Sequence, residues 1–414
     1  MKPSLNLRKI WTISLVLYII CSSAFSYGSL KMLNTWALYF FLGVSAVNIL
    51  FNLRMKLNFA LISIILYMVI VWVGVFYSST SQSGALEVLY KYITMAVVTV
   101  CVVQYIDSVA DVETVMRAYM LAGLVLAVYV YSLYGNSFWT IMQQAADTEN
   151  GYVVRLGDEL TNVNTIGMYT IISTLIALYN VIFNRTSKLK TLGCIVLAVF
   201  CFVVAMASAS KKSVILLLLG IVCMWVYHSL GTKNLKKNMR SMLFALGGTI
   251  VLIYIINTLP IFSGIATRFQ DMFDVAQNGS GGSDAGRINM IGTGLRVWME
   301  HPLFGAGTKA SYSTFGTYSH NNFVEILMNS GFVGFTVFYL VYLYAAYKYL
   351  HCAVQLKEKS KLPILLFALF MAITVCGVGL VYYYSRYYMI LLTVVFSAIG
   401  VLEKEPEKPA STQA

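Results

Sequence analysis

The side chains best suited to chemistry stand together in one stretch of this 414-residue sequence, which reads Tyr318-Ser319-His320-Asn321-Asn322-Phe323-Val324-Glu325. An apolar run follows at once, so we predict that His320 lies at the mouth of a helix, where free N–H groups suit an anion. A histidine there can act as general base near neutral pH. Glu325 lies one turn further in, and an ionisable residue inside an apolar span usually has a function. The alternative is that Glu325 and Asn329 only pair to join helices.

A second candidate is Arg287, which begins a stretch with apolar residues at helical spacing, Ile288, Ile291, Leu295 and Trp298. Ser283 or Asp284 can cap this helix, and His301-Pro302 ends it. Arg296 is nine positions further on and points to another side, and Glu300 offers it an ion pair. Arg287 is therefore the better candidate for gripping an anion, with a lipid headgroup as the alternative ligand.

Two further groups of basic residues stand in tight turns between apolar runs. Lys211 and Lys212 are flanked by Ser210 and Ser213, and basic charge beside hydroxyls predicts a phosphate site, although lysines also reach toward lipid headgroups. Arg386 stands among five tyrosines in the last such turn. It fits a phosphate ligand and equally the anchor of an aromatic belt at the membrane interface.

The elements that position these residues are spanning helices. Hydrophobic residues make up 59% of the chain and charged residues 11%, against roughly a quarter charged in soluble domains. The net charge of +12 does not predict a nucleic-acid partner, because basic residues also hold loops of membrane proteins in the cytoplasm. Runs of about 20 apolar residues predict an all-α polytopic membrane protein with about twelve spans. They lie near 10–30, 33–53, 57–77, 88–106, 115–134, 165–183, 191–208, 213–230, 241–260, 322–347, 364–383 and 387–402.

The distribution of Lys and Arg predicts that both termini are cytoplasmic, because 19 of the 29 then lie on the inside, most of them in short loops. Two long connections, 135–164 and 261–321, are then external. The larger one joins the ninth predicted span, near 241–260, to the tenth, near 322–347. Long connections tend to carry function. We expect one transmembrane domain over residues 1–402 and a disordered cytoplasmic tail over 403–414.

Three groups of residues resemble motifs of the O-antigen ligase/polymerase family of bacterial surface-polysaccharide enzymes. The large loop carries Ser283…Arg287…Trp298…His301-Pro302-Leu303-Phe304-Gly305-Ala306-Gly307, which looks like the family's Ser-x-x-x-Arg…Trp…Pro-x-x-Gly-x-Gly. The second group, His320-Asn321…Glu325…Gly331…Gly334, resembles its His-Asn element, and Thr161-Asn162-Val163-Asn164 resembles its Asn-Pro-Asn, with Val163 in place of proline. The likeness covers residues 150–350. It departs at Lys211 and Lys212, where the family commonly has Ser-Arg-Gly, and lysine lacks the bidentate fork of arginine.

The resemblance implies a glycosyltransferase on the outer face of the bacterial plasma (inner) membrane. Its donor would be a glycan on undecaprenyl pyrophosphate and its acceptor a sugar hydroxyl, with inversion at the anomeric carbon. His320 would deprotonate the acceptor, and Glu325 would orient His320 or share its role. The residues that would bind substrate and pyrophosphate are Arg287, Lys211, Lys212, Arg386, Asn321 and Asn164.

We expect neither metal nor cofactor, because the sequence has no Asp-x-Asp motif and no His/Cys cluster. Expected partners are the lipid-linked oligosaccharide, membrane lipid, and a flippase and a chain-length regulator of the same pathway.

Three functions stay open, and we favour an O-antigen or capsule polymerase because such enzymes are the more varied group. A ligase that moves finished glycan to lipid A core or to a protein would use the same residues. A secondary transporter of polysaccharide or solute would also have about twelve spans, but transporters place their site near the bilayer midplane between related halves. Here the polar residues crowd the predicted outer face.

Overall fold

The computed structural model of the chain describes residues 5–26, 28–52, 55–144, 156, 162–185, 187–230, 235–278 and 282–405. Within these ranges the chain forms helices and no strand, so the predicted all-α class is confirmed. The helices are α1 (Leu5–Ala24), α2 (Lys31–Asn52), α3 (Phe59–Val75), α4 (Gln82–Tyr105), α5 (Val109–Tyr134), α6 (Ser137–Gln144), α7 (Val163–Ile182), α8 (Lys188–Ala207), α9 (Lys211–Ser229), α10 (Leu235–Thr258), α11 (Ser263–Asn278), α12 (Gly282–Glu300), α13 (Ala310–Phe315), α14 (Asn322–His351), α15 (Ala353–Lys359), α16 (Leu362–Cys376) and α17 (Arg386–Lys404). A 3-10 turn over Pro260–Phe262 joins α10 to α11.

Every predicted span contains a helix, and the chain is a polytopic membrane protein. Nine of the described helices are long and apolar enough to cross a membrane, or ten if α10 and its bent continuation count as one span. The other two predicted spans, α3 and α16, have 17 and 15 residues. At about 1.5 Å per residue they are shorter than a hydrocarbon core of roughly 30 Å, so the number of twelve stays a prediction.

The centre of the bundle is formed by α7 and α17, whose apolar windows are both 72% buried, against 28% for α2 at the periphery. Helix α7 packs against α5, α8 and α9, while α16 packs against α9, and α14 against α3 and α12. The lipid-facing surface is apolar as well, because helices in lipid gain nothing from hiding apolar side chains from their solvent.

Ion pairs gather at the end of the bundle where α1 begins and α4 ends. Arg8 contacts Asp111 at 2.7 Å, and Lys56 donates to the carbonyl of Gln104 at 2.7 Å and pairs with Asp107. Alternation of the helices places His320 at the other end. This separation agrees with the predicted orientation, which stays a prediction. Helix α17 includes Glu403 and Lys404, so it extends two residues into the predicted tail, and residues 406–414 lie outside the described ranges.

The long connection 261–321 is itself largely helical, with α11, α12 and α13 in it. The predicted helix before His301-Pro302 is confirmed as α12, which begins at Gly282, so the prediction that Ser283 or Asp284 caps it is wrong. The eleventh span is shorter than predicted, because α16 ends at Cys376 and not at residue 383. Gly377 and Gly379 disfavour continuation. The backbone N–H groups of Tyr382 and Tyr383 donate instead to Asn322 Oδ1, at 2.8 and 2.9 Å.

Candidate functional site

The start of α14 is closed by its own residues. Asn321 is the N-cap, and its Oδ1 accepts from the N–H groups of Phe323 and Val324 at 2.9 and 3.1 Å. The Asn322 N–H donates to the carbonyl of Gly377, and the Glu325 N–H to that of Asn321. All four leading N–H groups are thus satisfied. The expectation that this helix mouth offers free N–H groups to an anion is wrong, and the structure gives Asn321 the role of a helix cap.

Glu325 lies beneath the loop that carries His320, and its side chain is 1% exposed. Its carboxylate accepts from Ser311 Oγ at 2.6 Å, from the Ser319 N–H at 2.7 Å and from Asn329 Nδ2 at 3.3 Å. The predicted contact between Glu325 and Asn329 is therefore present, within a larger network. Because one of these bonds holds the residue just before His320, Glu325 fixes the loop that carries the histidine.

His320 stands in the left-handed backbone region, with φ 60°, half-buried at the end of the bundle. Its ring packs on Tyr318 with centroids 4.2 Å apart and makes no hydrogen bond within the described part of the chain. Burial lowers the pKa of His320 from its ordinary 6.5 to about 4, and the charges of Arg287 and Lys212 lower it further in that direction. The imidazole is therefore neutral at pH 7 and keeps a lone pair for a proton.

Arg287 reaches His320 because α12 runs alongside α14 in the same direction. Gly294 packs so closely on Val324 that a Cβ there would overlap its side chain, and the loop after α12 meets α14 further along. Arg287 lies two turns before Gly294 on the same face, which brings it level with the loop before α14. Arg296 donates to Thr293 Oγ1 at 3.1 Å, so the predicted ion pair with Glu300 is wrong.

Lys212 comes to the same place from α9. Its Cε lies 3.5 Å from where a Cβ on Gly379 would be, in the turn between α16 and α17. That turn is joined to the start of α14 through Asn322, as described above. The site therefore lies where α9, α12, α14 and the α16–α17 turn converge, and it brings together three predicted residues, His320, Arg287 and Lys212.

Three other predicted residues, Lys211, Arg386 and Asn164, lie in the first turns of helices of the bundle. Lys211 is the first residue of α9 and is 9% exposed. Arg386 begins α17 and lies against the Tyr18 hydroxyl of α1. The backbone N–H of Asn164 donates to Asn162 Oδ1 at 2.9 Å at the start of α7, and Asn162 is the N-cap. Four of the five tyrosines near Arg386 are at most 4% exposed, so the belt alternative is wrong: they pack in the core.

The two serines that flank the lysines bear on the predicted phosphate site. Ser210 and Ser213 are fully buried, and their hydroxyl groups have no hydrogen-bond partner among the described residues. Gly167 of α7 lies against this turn, and a Cβ there would overlap Ser213 Oγ and approach Ser208 Oγ to 2.5 Å. Buried hydroxyls without partners are uncommon, and they can donate to a phosphate oxygen.

A loop between α12 and α13 explains the Pro-x-x-Gly-x-Gly pattern. Helix α14 is interrupted at Gly331, where φ is 62° and ψ is −165°. The loop replaces the missing helical bonds: Phe332 N–H donates to Pro302 O at 2.9 Å and Val333 N–H to Leu303 O at 3.0 Å. In return, the Ala306 N–H donates to Met328 O at 2.7 Å.

Glycine is required where these backbones meet. A Cβ on Gly305 would lie 2.6 Å from the carbonyl oxygen of Met328, and one on Gly331 would overlap the Leu303 carbonyl. The same loop continues to α3, where Thr308 Oγ1 donates to Val71 O at 2.6 Å. These glycines hold the 302–306 loop against α14.

Comparison with known proteins agrees with this geometry. Residues 173–339 match the family model described as O-antigen ligase. The match covers fewer than half of the residues but contains Lys212, Arg287, His320 and Glu325. No curated protein matches the chain. The resemblance to the O-antigen ligase/polymerase family is therefore confirmed, and residues 173–339 are the part of the chain that carries it.

Proposed function

We propose that this protein is a polysaccharide polymerase of the O-antigen or capsule type, which transfers a glycan from undecaprenyl pyrophosphate to a sugar hydroxyl. The family match indicates a ligase-like or polymerase-like function and lipid-linked oligosaccharide substrates. The observation that supports the chemistry is the neutral His320 beside two fixed cations, Arg287 and Lys212. A base and a pair of positive charges are what a transfer with an anionic leaving group needs.

In the proposed step the acceptor hydroxyl gives its proton to the His320 imidazole, and its oxygen forms a bond to the anomeric carbon. The bond between that carbon and the pyrophosphate oxygen breaks, and its electron pair stays on the pyrophosphate. Arg287 and Lys212 stabilise the charge that develops there. The Ser210 and Ser213 hydroxyls are buried donors beside Lys212, and they supply hydrogen bonds to the same phosphates.

The low pKa of His320 belongs to the protein without substrate. A pyrophosphate between Arg287 and Lys212 offsets the two charges that disfavour the imidazolium, so donor binding raises the pKa of His320. The base therefore becomes stronger when the donor is in place. Glu325 supports this base through the bond to the Ser319 N–H, as a positioning residue.

The test is the surface glycan of a deletion strain complemented with wild type, His320→Ala or His351→Ala. His351 is exposed at the far end of α14 and serves as the matched control. We expect His320→Ala at normal protein level to leave single repeat units on their anchor and no ladder, while His351→Ala restores the ladder. A normal ladder from His320→Ala would refute the assignment of the base.

A ligase is the second candidate, and the description of the matched family as O-antigen ligase favours it. The same strains separate the two reactions. If the protein is a ligase, the strain with His320→Ala would have no glycan attached to lipid A core or protein, and long polymer would accumulate on the lipid carrier. Transfer by the purified protein in detergent, without a gradient, would exclude the transporter.

A further inference from the structure

A large apolar cavity lies in the opposite half of the bundle from His320. Its volume is about 740 Å³, and α7, α8, α9 and α10 form its walls. Its apolar lining includes Leu178, Phe202, Leu217 and Ile221. It opens sideways beside Val199, which lines it and is 57% exposed on the outer surface of the bundle. A cavity that opens toward the lipid in this way is accessible to a hydrocarbon chain from the membrane.

One end of the cavity is polar and basic. His228 and Trp225 lie there near the end of α9, and Lys361 completes the lining at the start of α16. The indole Nε1 of Trp225 is buried and has no hydrogen-bond partner within the described ranges. Lys361 is exposed and forms no ion pair with any described residue. Arg185 lies two residues after the lining residue Phe183, and none of the described residues that line the cavity is Asp or Glu.

We propose that this cavity binds an anionic phospholipid from the leaflet at the Lys361 end, with an acyl chain inside and the phosphate near Lys361. Three observations support that occupant: an apolar shaft, an unpartnered indole N–H and an excess of positive charge at the mouth. Basic pockets between spanning helices are suited to anionic headgroups. An acyl chain gains little when it moves from lipid into an apolar cavity, so selectivity comes from the headgroup.

The headgroup site is separate from the candidate active site. Helix α9 begins with Lys211 and reaches His228 seventeen positions later, which is about 25 Å along its axis. A pyrophosphate beside Lys212 and a phosphate beside Lys361 are thus two different anions at opposite ends of α9. The inference does not depend on the proposed glycosyl transfer.

Occupation of the cavity bears on the active site through α10. This helix forms one wall with Gly248 and Thr249, and the chain then passes through α11 to α12, which carries Arg287. A lipid between α10 and the α7–α9 layer fills space that side chains leave open. It therefore supports α10, the helix that leads into α11 and α12.

The glycines of α10 provide a matched pair of variants. A Cβ on either Gly247 or Gly248 would meet no atom within 4 Å, but only Gly248 lines the cavity. Gly248→Leu therefore places a side chain in the cavity, and Gly247→Leu is the control. Lys361→Gln removes the proposed headgroup contact, and Lys404→Gln removes one exposed charge elsewhere at the same end.

The experiment is native mass spectrometry of the full chain extracted from membranes, followed by titration with phosphatidylglycerol and phosphatidylcholine in detergent. We expect wild type to retain one anionic phospholipid and to prefer phosphatidylglycerol. Gly248→Leu should lose it, and Lys361→Gln should bind it about fivefold more weakly, since one lysine near a membrane surface contributes about that factor. Gly247→Leu and Lys404→Gln should match wild type, and equal melting temperatures would show that all variants fold.

Three results would overturn the proposal. Equal binding of both phospholipids would mean a groove without headgroup selectivity. Retention of a polyprenyl phosphate in place of phospholipid would assign the cavity to the tail of the donor. Unchanged phosphatidylglycerol binding by both Gly248→Leu and Lys361→Gln would place the lipid elsewhere.

Discussion

Replacing Arg287 with glutamine should make His320 a stronger base in the protein without substrate. A nearby positive charge disfavours the imidazolium, so its removal raises the pKa of His320. Burial is the largest cause of the lowering from 6.5 to about 4, and Arg287 is the second of three causes. Arg287 therefore accounts for less than half of the effect, and in Arg287→Gln the pKa of His320 should rise less than half of the way back toward 6.5.

The rate of modification by diethyl pyrocarbonate measures this directly, because only the neutral imidazole reacts. The His320 peptide is followed by mass spectrometry as a function of pH, so the other three histidines do not interfere. The half-point should lie near pH 4 in wild type and higher in Arg287→Gln, with a smaller rise in Lys212→Gln. Arg296→Gln is the control, because Arg296 contacts Thr293 and not His320. A curve for Arg287→Gln that coincides with wild type would refute the placement of Arg287 beside His320.

Three further substitutions test the frame of the site. Gly331→Ala should lower the free energy of unfolding by at least about 2 kcal/mol in thermal melts, because φ 62° with ψ −165° is a conformation that only glycine adopts freely. The control is Gly43→Ala, where a Cβ meets nothing within 4 Å, and this substitution should be neutral or stabilising. Glu325→Ala leaves the Ser319 N–H without its acceptor, so kcat should fall at least about tenfold with KM little changed; a fall in binding alone would contradict a positioning role. Thr308→Val should cost about 1 kcal/mol through the lost bond to the Val71 carbonyl, and unchanged melting would show that water replaces it.

Hydropathy located the helices well because lipid imposes a simple rule: every backbone group of a span must be satisfied inside the span. Hydropathy placed the end of α16 seven residues too late. Apolar residues continue through Val378 and Leu380, but the helical backbone ends at Cys376. The end is set by Asn322, more than fifty residues away in the chain. A contact between residues so far apart in the chain produces no periodic pattern in the sequence, so hydropathy cannot detect it.

In the candidate site as well, part of the arrangement could be predicted from the sequence and part could not. The sequence alone indicated His320 and Arg287 from residue type and spacing, and the structure places the charge of Arg287 beside the imidazole. It could not indicate that Lys212 and not Lys211 faces His320, because adjacent residues on a helix differ only in direction. It also credited α14 with free N–H groups, although Asn321 stands in the sequence as a cap residue and takes two of them. The resemblance implied a substrate ligand at Asn321, and its role as a cap was not predicted.

The joint between the 302–306 loop and the break in α14 has a consequence for hybrid enzymes. The loop supplies carbonyl acceptors to the N–H groups after the break in α14, and α14 supplies an acceptor to the Ala306 N–H. Each segment therefore needs the other to satisfy its main-chain groups. Grafting the external loop alone from a relative would pair a foreign main chain with the native break, and a mismatch of one residue would leave carbonyls and amides stranded in an apolar setting. A functional transplant therefore has its boundaries outside both partners, before Gly282 and after His351. Loop and helix form one cassette, to be exchanged whole.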